Sequence, residues 1–136
     1  VIGLADLQGL WRLTRTIEDA RAGLVGHLLG TSRWHPDDAG LVQDEKGVLH
    51  YGTAPPMQAA RRYLWRAEAG GLAVFFADGR PFHLLSPARL TDRHWCDPDT
   101  YVVSYDLSCW PDWTQVWHVS GPRKDAVITS RFQPLG

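Results

Sequence analysis

Cysteine, methionine and lysine are scarce in this chain of 136 residues, which has two cysteines, one methionine and, among 14 basic residues, only Lys46 and Lys124 as lysines. Two thiols, Cys96 and Cys109, cannot make a disulfide framework, and they lack the companions of a zinc site. With no secretory leader recognisable, reduced thiols in the cytoplasm are the expectation. No apolar run approaches the ~20 residues of a membrane-spanning helix. A net charge of -1, from 14 basic and 15 acidic residues, sets up no field for nucleic acid or an anionic membrane surface. Repeats, low-complexity tracts, a phosphate-cradling loop, a nucleophile motif and a paired-carboxylate signature are also missing. The length suits one domain over residues 1–136 with a core of its own. No catalytic set, metal set or cofactor is called for. A homodimer stays open.

What remains is a β chain. Only Gly3–Gln8 reads as a helical turn. Beyond Gly9, segments rich in Val, Leu, Trp, Tyr, Thr and Phe alternate with Gly, Pro and Asp clusters such as Asp78-Gly79 and Gly121-Pro122. Strands are predicted at about 10–18, 24–35, 40–51, 56–67, 72–77, 81–86, 88–96, 100–108, 113–120 and 125–133. Ten short strands with hairpin-length connections predict an antiparallel up-and-down β-barrel, since closure removes exposed edges. Ten strands enclose a wider lumen than eight.

The strand Arg61-Arg62-Tyr63-Leu64-Trp65-Arg66 fits a barrel better than a sandwich. Successive side chains point to opposite faces, so Arg61, Tyr63 and Trp65 share one and Arg62, Leu64 and Arg66 the other. A guanidinium on each face is incompatible with a dry core. The aromatic face therefore looks into a space that is enclosed but polar. The same periodicity puts Arg15 with Trp11, Leu13 and Ile17, and Glu45 with Leu41, Gln43 and Leu49. It puts Tyr101 with Tyr105, and Trp117 with Trp113 and Gln115. The expected lumen holds Arg15, Glu45, Arg61, Tyr63, Trp65, Tyr101, Tyr105 and Trp117, with His83 near a rim. Glu45 is the counter-charge for Arg15 or Arg61. Gly26 and Gly30 on one strand face mark a bend or a close approach.

Three local motifs carry further expectations. His94 and Cys96 lie ~6.5–7 Å apart along one strand face, too far for a thiolate–imidazole pair, so the thiol reads as a small buried hydrophobe. Trp110-Pro111-Asp112-Trp113 reads as a lid over the barrel mouth or, with Trp95, as an exposed aromatic patch. Gly9-Leu10-Trp11 resembles the Gly-x-Trp start of the lipocalin and fatty-acid-binding (calycin) group. That resemblance implies a Trp closing the barrel base under a cation from the last strand, here Arg123 or Arg131.

Taken together, Gly9-Leu10-Trp11-Arg12-Leu13, Arg61-Arg62-Tyr63-Leu64-Trp65, Asp78-Gly79-Arg80-Pro81-Phe82-His83, His94-Trp95-Cys96 and Gly121-Pro122-Arg123-Lys124-Asp125 resemble a bacterial family catalogued only as a domain of unknown function. The resemblance implies one compact β-barrel with no established activity. The chain departs from the family pattern at Gln43, where Tyr is usual, and at Ala126, where an aromatic is usual. Inward-facing, both would reshape a cavity.

Three functions are consistent with these residues. The first is binding of a small, partly apolar anion, with Arg15 and Arg61 neutralising it, Tyr63, Tyr101 and Tyr105 donating hydrogen bonds, and Trp65 and Trp117 giving flat apolar contact. The second is an isomerase-, cyclase- or hydrolase-like enzyme using Glu45 or His83 as base. The third is a haem barrel through His83, His94 or His118, or a protein-interaction module. Against all of them stands a lumen whose polar residues only satisfy one another.

Overall fold

Period-two alternation carries the chain into ten strands after one helical turn. In the computed structural model, which describes residues 2–135, α1 (Leu4–Leu7) leads into β1 (Gly9–Asp19), β2 (Leu24–Pro36), β3 (Leu41–Tyr51), β4 (Met57–Glu68) and β5 (Gly71–Phe76). Then follow β6 (Pro81–Leu85), β7 (Thr91–Cys96), β8 (Asp99–Asp106), β9 (Trp113–Gly121) and β10 (Lys124–Pro134). β7 starts later than predicted and β8 ends earlier. Ser86 and Arg89 bridge to each other in a tight turn, which delays β7 to Thr91. The Asp106 carboxylate accepts both the Ser108 N–H and hydroxyl, which ends β8.

All strands are antiparallel in a single sheet of order β6-β5-β4-β3-β2-β1-β10-β9-β8-β7. First and last strands pair from Trp11 opposite Pro134 to Asp19 opposite Ala126. The sheet curls into a nearly closed barrel whose seam lies between β6 and β7. There Leu84 N–H donates to the Asp92 carboxylate at 2.7 Å, a side-chain stitch in place of a backbone ladder. Of the two readings of the β2 glycines, a bend or a close approach, the close approach is present. Gly30 faces Gly47, and a Cβ on it would run into the Lys46 carbonyl, so only glycine lets β2 and β3 approach this closely. The Tyr51 ring covers Gly26, where a Cβ would come within 2.6 Å of it.

One end is plugged by aromatic packing. Trp11, Trp34, Trp65, Trp113 and Phe132 are buried together with Leu7 of α1 and Leu13. Phe132 stacks on Trp113 at 4.1 Å. The Trp11 indole N–H donates to the Leu7 carbonyl at 2.8 Å, fastening α1 across the base. Among the described residues, no cation covers Trp11. Arg131 points outward to Asp112, and Arg123 lies in the β9–β10 turn at the opposite end. Aromatic neighbours Trp34, Trp110 and Trp113 take the place of that cation. Trp110 thus packs on the closed base, neither over an open mouth nor in an exposed patch, while Trp95 stands apart, 60% exposed. Among the described residues, no helix is long and apolar enough to cross a membrane.

Candidate functional site

The turns β1–β2, β5–β6 and β9–β10 gather at the end opposite the plug. They surround a cavity of about 660 Å³ that runs down the barrel axis. Six basic side chains line it: Arg15, Arg21, Arg61, Arg80, Arg123 and Lys124. The acidic ones are Asp19, Glu45 and Asp125. At the rim, Lys124 pairs with Asp99 at 3.0 Å and Arg80 with Asp78 at 2.7 Å. Arg21 donates to the Pro122 carbonyl at 2.7 Å. The Asp99 contact, then Tyr101, raises Lys124 above the ordinary lysine range. Asp19 is held below the carboxylate range by the Ala22 N–H and then the Tyr51 hydroxyl. Among the described residues, Arg21, Arg61 and Arg123 of this set pair with no carboxylate.

Deeper, a polar chain crosses the lumen. Arg15 Nη2 contacts Glu45 Oε1 and Oε2 at 3.1 and 3.0 Å, and its Nε donates to Ser130 Oγ at 2.7 Å. Gln43 Nε2 donates to Glu45 Oε2 at 3.0 Å and Ser32 Oγ at 3.1 Å, and Gln43 Oε1 accepts the Trp65 indole N–H at 2.7 Å. Each link uses the inward-facing alternate residue of its own strand. The cross-strand registers Gln43 to Tyr63 and Glu45 to Arg61 bring β3 and β4 together at this level. Burial pushes the Tyr63 hydroxyl above the usual tyrosine range, with Glu45 adding to the shift and Arg61 and Arg15 opposing it.

Beside this chain lies a second polar cluster. Gln115 Nε2 donates to the Tyr105 hydroxyl at 2.9 Å, and that oxygen lies 2.6 Å from His83 Nε2. Burial pushes His83 down to about 3 and raises Tyr105 well above the tyrosine range. His83 is therefore a neutral imidazole. The wall above it is aromatic. Phe82 stacks on Trp117 at 4.7 Å and on Phe76 at 4.3 Å, and lies 5.8 Å from Tyr63. His94 meets Phe76 and Phe82 edge-on at 5.5 and 5.3 Å.

Of the residues expected in the lumen, Arg15, Glu45, Arg61, Tyr63, Trp65, Tyr101 and Trp117 line the cavity, and His83, expected near a rim, is instead a buried part of its wall, paired with Val74. Tyr105 does not line it: it is buried behind His83 and Gln115 and meets the lumen through those two side chains. Glu45 answers Arg15 and not Arg61. Gln43 and Ala126 both face inward, and Gln43 joins the Trp65 indole to the ion pair. His118 points outward, 3.6 Å from Asp125. Cys96, expected as a buried hydrophobe, is exposed at the cavity wall, because β7 borders the seam and has a neighbour on one side only.

The residue that alternation could not find is Phe82. Period two puts Phe82 and His83 on opposite faces, yet both face the lumen. A register shift between Val74 and Phe75 lets Pro81 pair with Phe75 while His83 pairs with Val74, and this bulge swings Phe82 inward. The Asp-Gly turn just before β6 was visible in the sequence; the bulge beyond it carries no residue signature.

No curated protein and no solved structure matches this chain. Residues 7–134 match the model of a protein family described as a family of unknown function, and the chain belongs to that family, DUF6314.

Proposed function

We propose that this barrel binds one small, partly apolar anion in its lumen. The observation that supports this most is the charge of the cavity. A chain of net charge -1 lines it with six basic and three acidic side chains and leaves Arg61 without an acidic partner. Arg61 neutralises the anion with charge-assisted hydrogen bonds. The Tyr101 hydroxyl accepts from Lys124 Nζ at 3.4 Å, which frees its own hydrogen for the ligand. Phe82, Phe76 and Trp117 supply the flat apolar wall. Glu45 is not a free base, being gripped by Arg15 and Gln43, and His83 Nε2 is engaged by Tyr105; binding without turnover is the better supported reading. Two free, exposed thiols support a reducing compartment such as the cytoplasm.

A thermal-shift screen of aryl carboxylates and aryl phosphates tests the reading. A hit should raise the Tm of the wild type and lose that effect in Arg61→Ala. A hit equally effective in both places the anion elsewhere. Mass spectrometry of the recovered hit separates binding from conversion.

One observation favours haem as a second reading: His94 faces the cavity among aromatic rings, below the Arg123 and Lys124 cations that could meet propionates. Incubation with hemin decides it, since the absence of a Soret shift removes this reading.

A further inference from the structure

Among the described residues, three buried polar atoms find no partner: Trp34 Nε1, Trp113 Nε1 and His83 Nδ1. The two indoles lie in the packed base, whereas His83 lines the cavity. The tautomer of His83 follows from its neighbours. Among the described residues the Tyr105 hydroxyl meets only Gln115 Nε2, a donor, and His83 Nε2, so His83 Nε2, 2.6 Å away, is the one acceptor its hydrogen can reach. A neutral imidazole that accepts at Nε2 carries its hydrogen on Nδ1. The ring is 5% exposed, and no protein acceptor meets this N–H. Leaving a buried donor unmet is costly, and such a group marks where something else is to be recognised.

Phe82 and Trp117 stand perpendicular to the imidazole at 4.8 and 5.0 Å and flank it where it borders the cavity. The two differ in how firmly they are held. Trp117 sits mid-ladder between β8 and β10. Phe82 is half-buried on a five-residue strand with a bulge on one side and the Asp92 stitch on the other.

We propose that His83 Nδ1–H is a specificity-determining donor for a neutral acceptor on the bound molecule, a ketone, ester or amide carbonyl, reached when the Phe82 ring turns aside. The proposal rests on the lumen being the binding site and deepens that reading. The ligand carries its anion toward Arg61 and an acyl group toward His83. A neutral imidazole N–H suits a carbonyl; it brings no charge to hold a second carboxylate.

The test uses an uncharged matched pair, 2-acetylnaphthalene and 2-ethylnaphthalene, so that Arg61 plays no part. Long-range ¹H–¹⁵N spectra of the wild type should show His83 protonated at Nδ1. Addition of 2-acetylnaphthalene should move that proton downfield. The acetyl compound should bind about three- to tenfold tighter than the ethyl compound, the worth of one neutral hydrogen bond. His83→Phe should abolish that preference. Tyr105→Phe, which leaves the cavity wall intact but releases the tautomer, should weaken it. Protonation at Nε2, equal affinity of the pair, a preference that survives His83→Phe, or no binding of either compound overturns the proposal. Failure of the anion reading shows separately, as 2-naphthoate binding that ignores Arg61→Ala while the acetyl preference persists.

Discussion

Arg15 and Glu45 face each other across the inside of the barrel, 14% and 5% exposed, with one guanidinium nitrogen shared between both carboxylate oxygens. Ser130 and Gln43 add to the hydrogen bonding, so the pair is held in place without a ligand. That leaves Arg61, opposite Glu45 in the β3–β4 register, as the guanidinium at this depth of the lumen that pairs with no carboxylate among the described residues.

Removing one member of such a pair strands the other in a poorly solvated place. Arg15→Met should destabilise the barrel by about 3 kcal/mol or more, whereas the double change Arg15→Met with Glu45→Leu should recover most of it. Urea unfolding of the single and double variants measures the difference. Equal losses in both would mean that the pair is well solvated.

The outward face of the same strand should behave differently. Arg62 is 58% exposed and bonds Asp44 at 2.7 Å, and it holds Asp44 below the carboxylate range together with His35. Screening limits such pairs, so Arg62→Ala should cost under about 1 kcal/mol and leave ligand affinity untouched. Parallel urea and titration measurements check both statements.

His83 should make stability depend on pH. Its folded value of about 3 lies below the ordinary 6.5, so between those values the unfolded chain binds the extra proton and stability falls as pH falls. From pH 7 to pH 5 this group alone should remove on the order of 2 kcal/mol. The loss should be shallower in His83→Phe. Urea unfolding at both pH values, wild type against variant, isolates that contribution from the carboxylates. Parallel pH profiles would mean that His83 titrates normally in the folded barrel.

The seam should open before the rest. β6 and β7 are joined by the Asp92 carboxylate, while β1 and β10 share a full ladder. Amide exchange should be faster in residues 81–85 and 91–96 than in residues 11–17, and Asp92→Ala should widen the gap at Leu84. Uniform protection around the barrel would show that the seam is as firm as any other junction.

Much of this architecture was legible in the residues. Alternation along Trp11-Leu13-Arg15-Ile17 and Arg61-Tyr63-Trp65 identified inward faces, because one side of every strand meets a lumen and the other meets solvent. Hairpin punctuation gave the strand count. Local pattern failed wherever the outcome depended on which strands meet. The seam put Cys96 at the surface, the bulge beside Val74 turned Phe82 inward, and the plug gave Trp11 aromatic neighbours where a cation was expected. Tyr105 had the right face but the wrong depth, since it lies behind a histidine from the far side of the seam. Loose ends such as His83 Nδ1 appear only once all neighbours are in place.

Calorimetric titration of 2-naphthoate into wild type, Arg61→Ala and Arg62→Ala tests the central claim most directly. The expected result is one site in the wild type, unchanged in Arg62→Ala and weakened about tenfold or more in Arg61→Ala, the worth of a charge-assisted hydrogen bond. Equal affinity in wild type and Arg61→Ala, or no binding by the wild type, would contradict a lumen built to hold an anion.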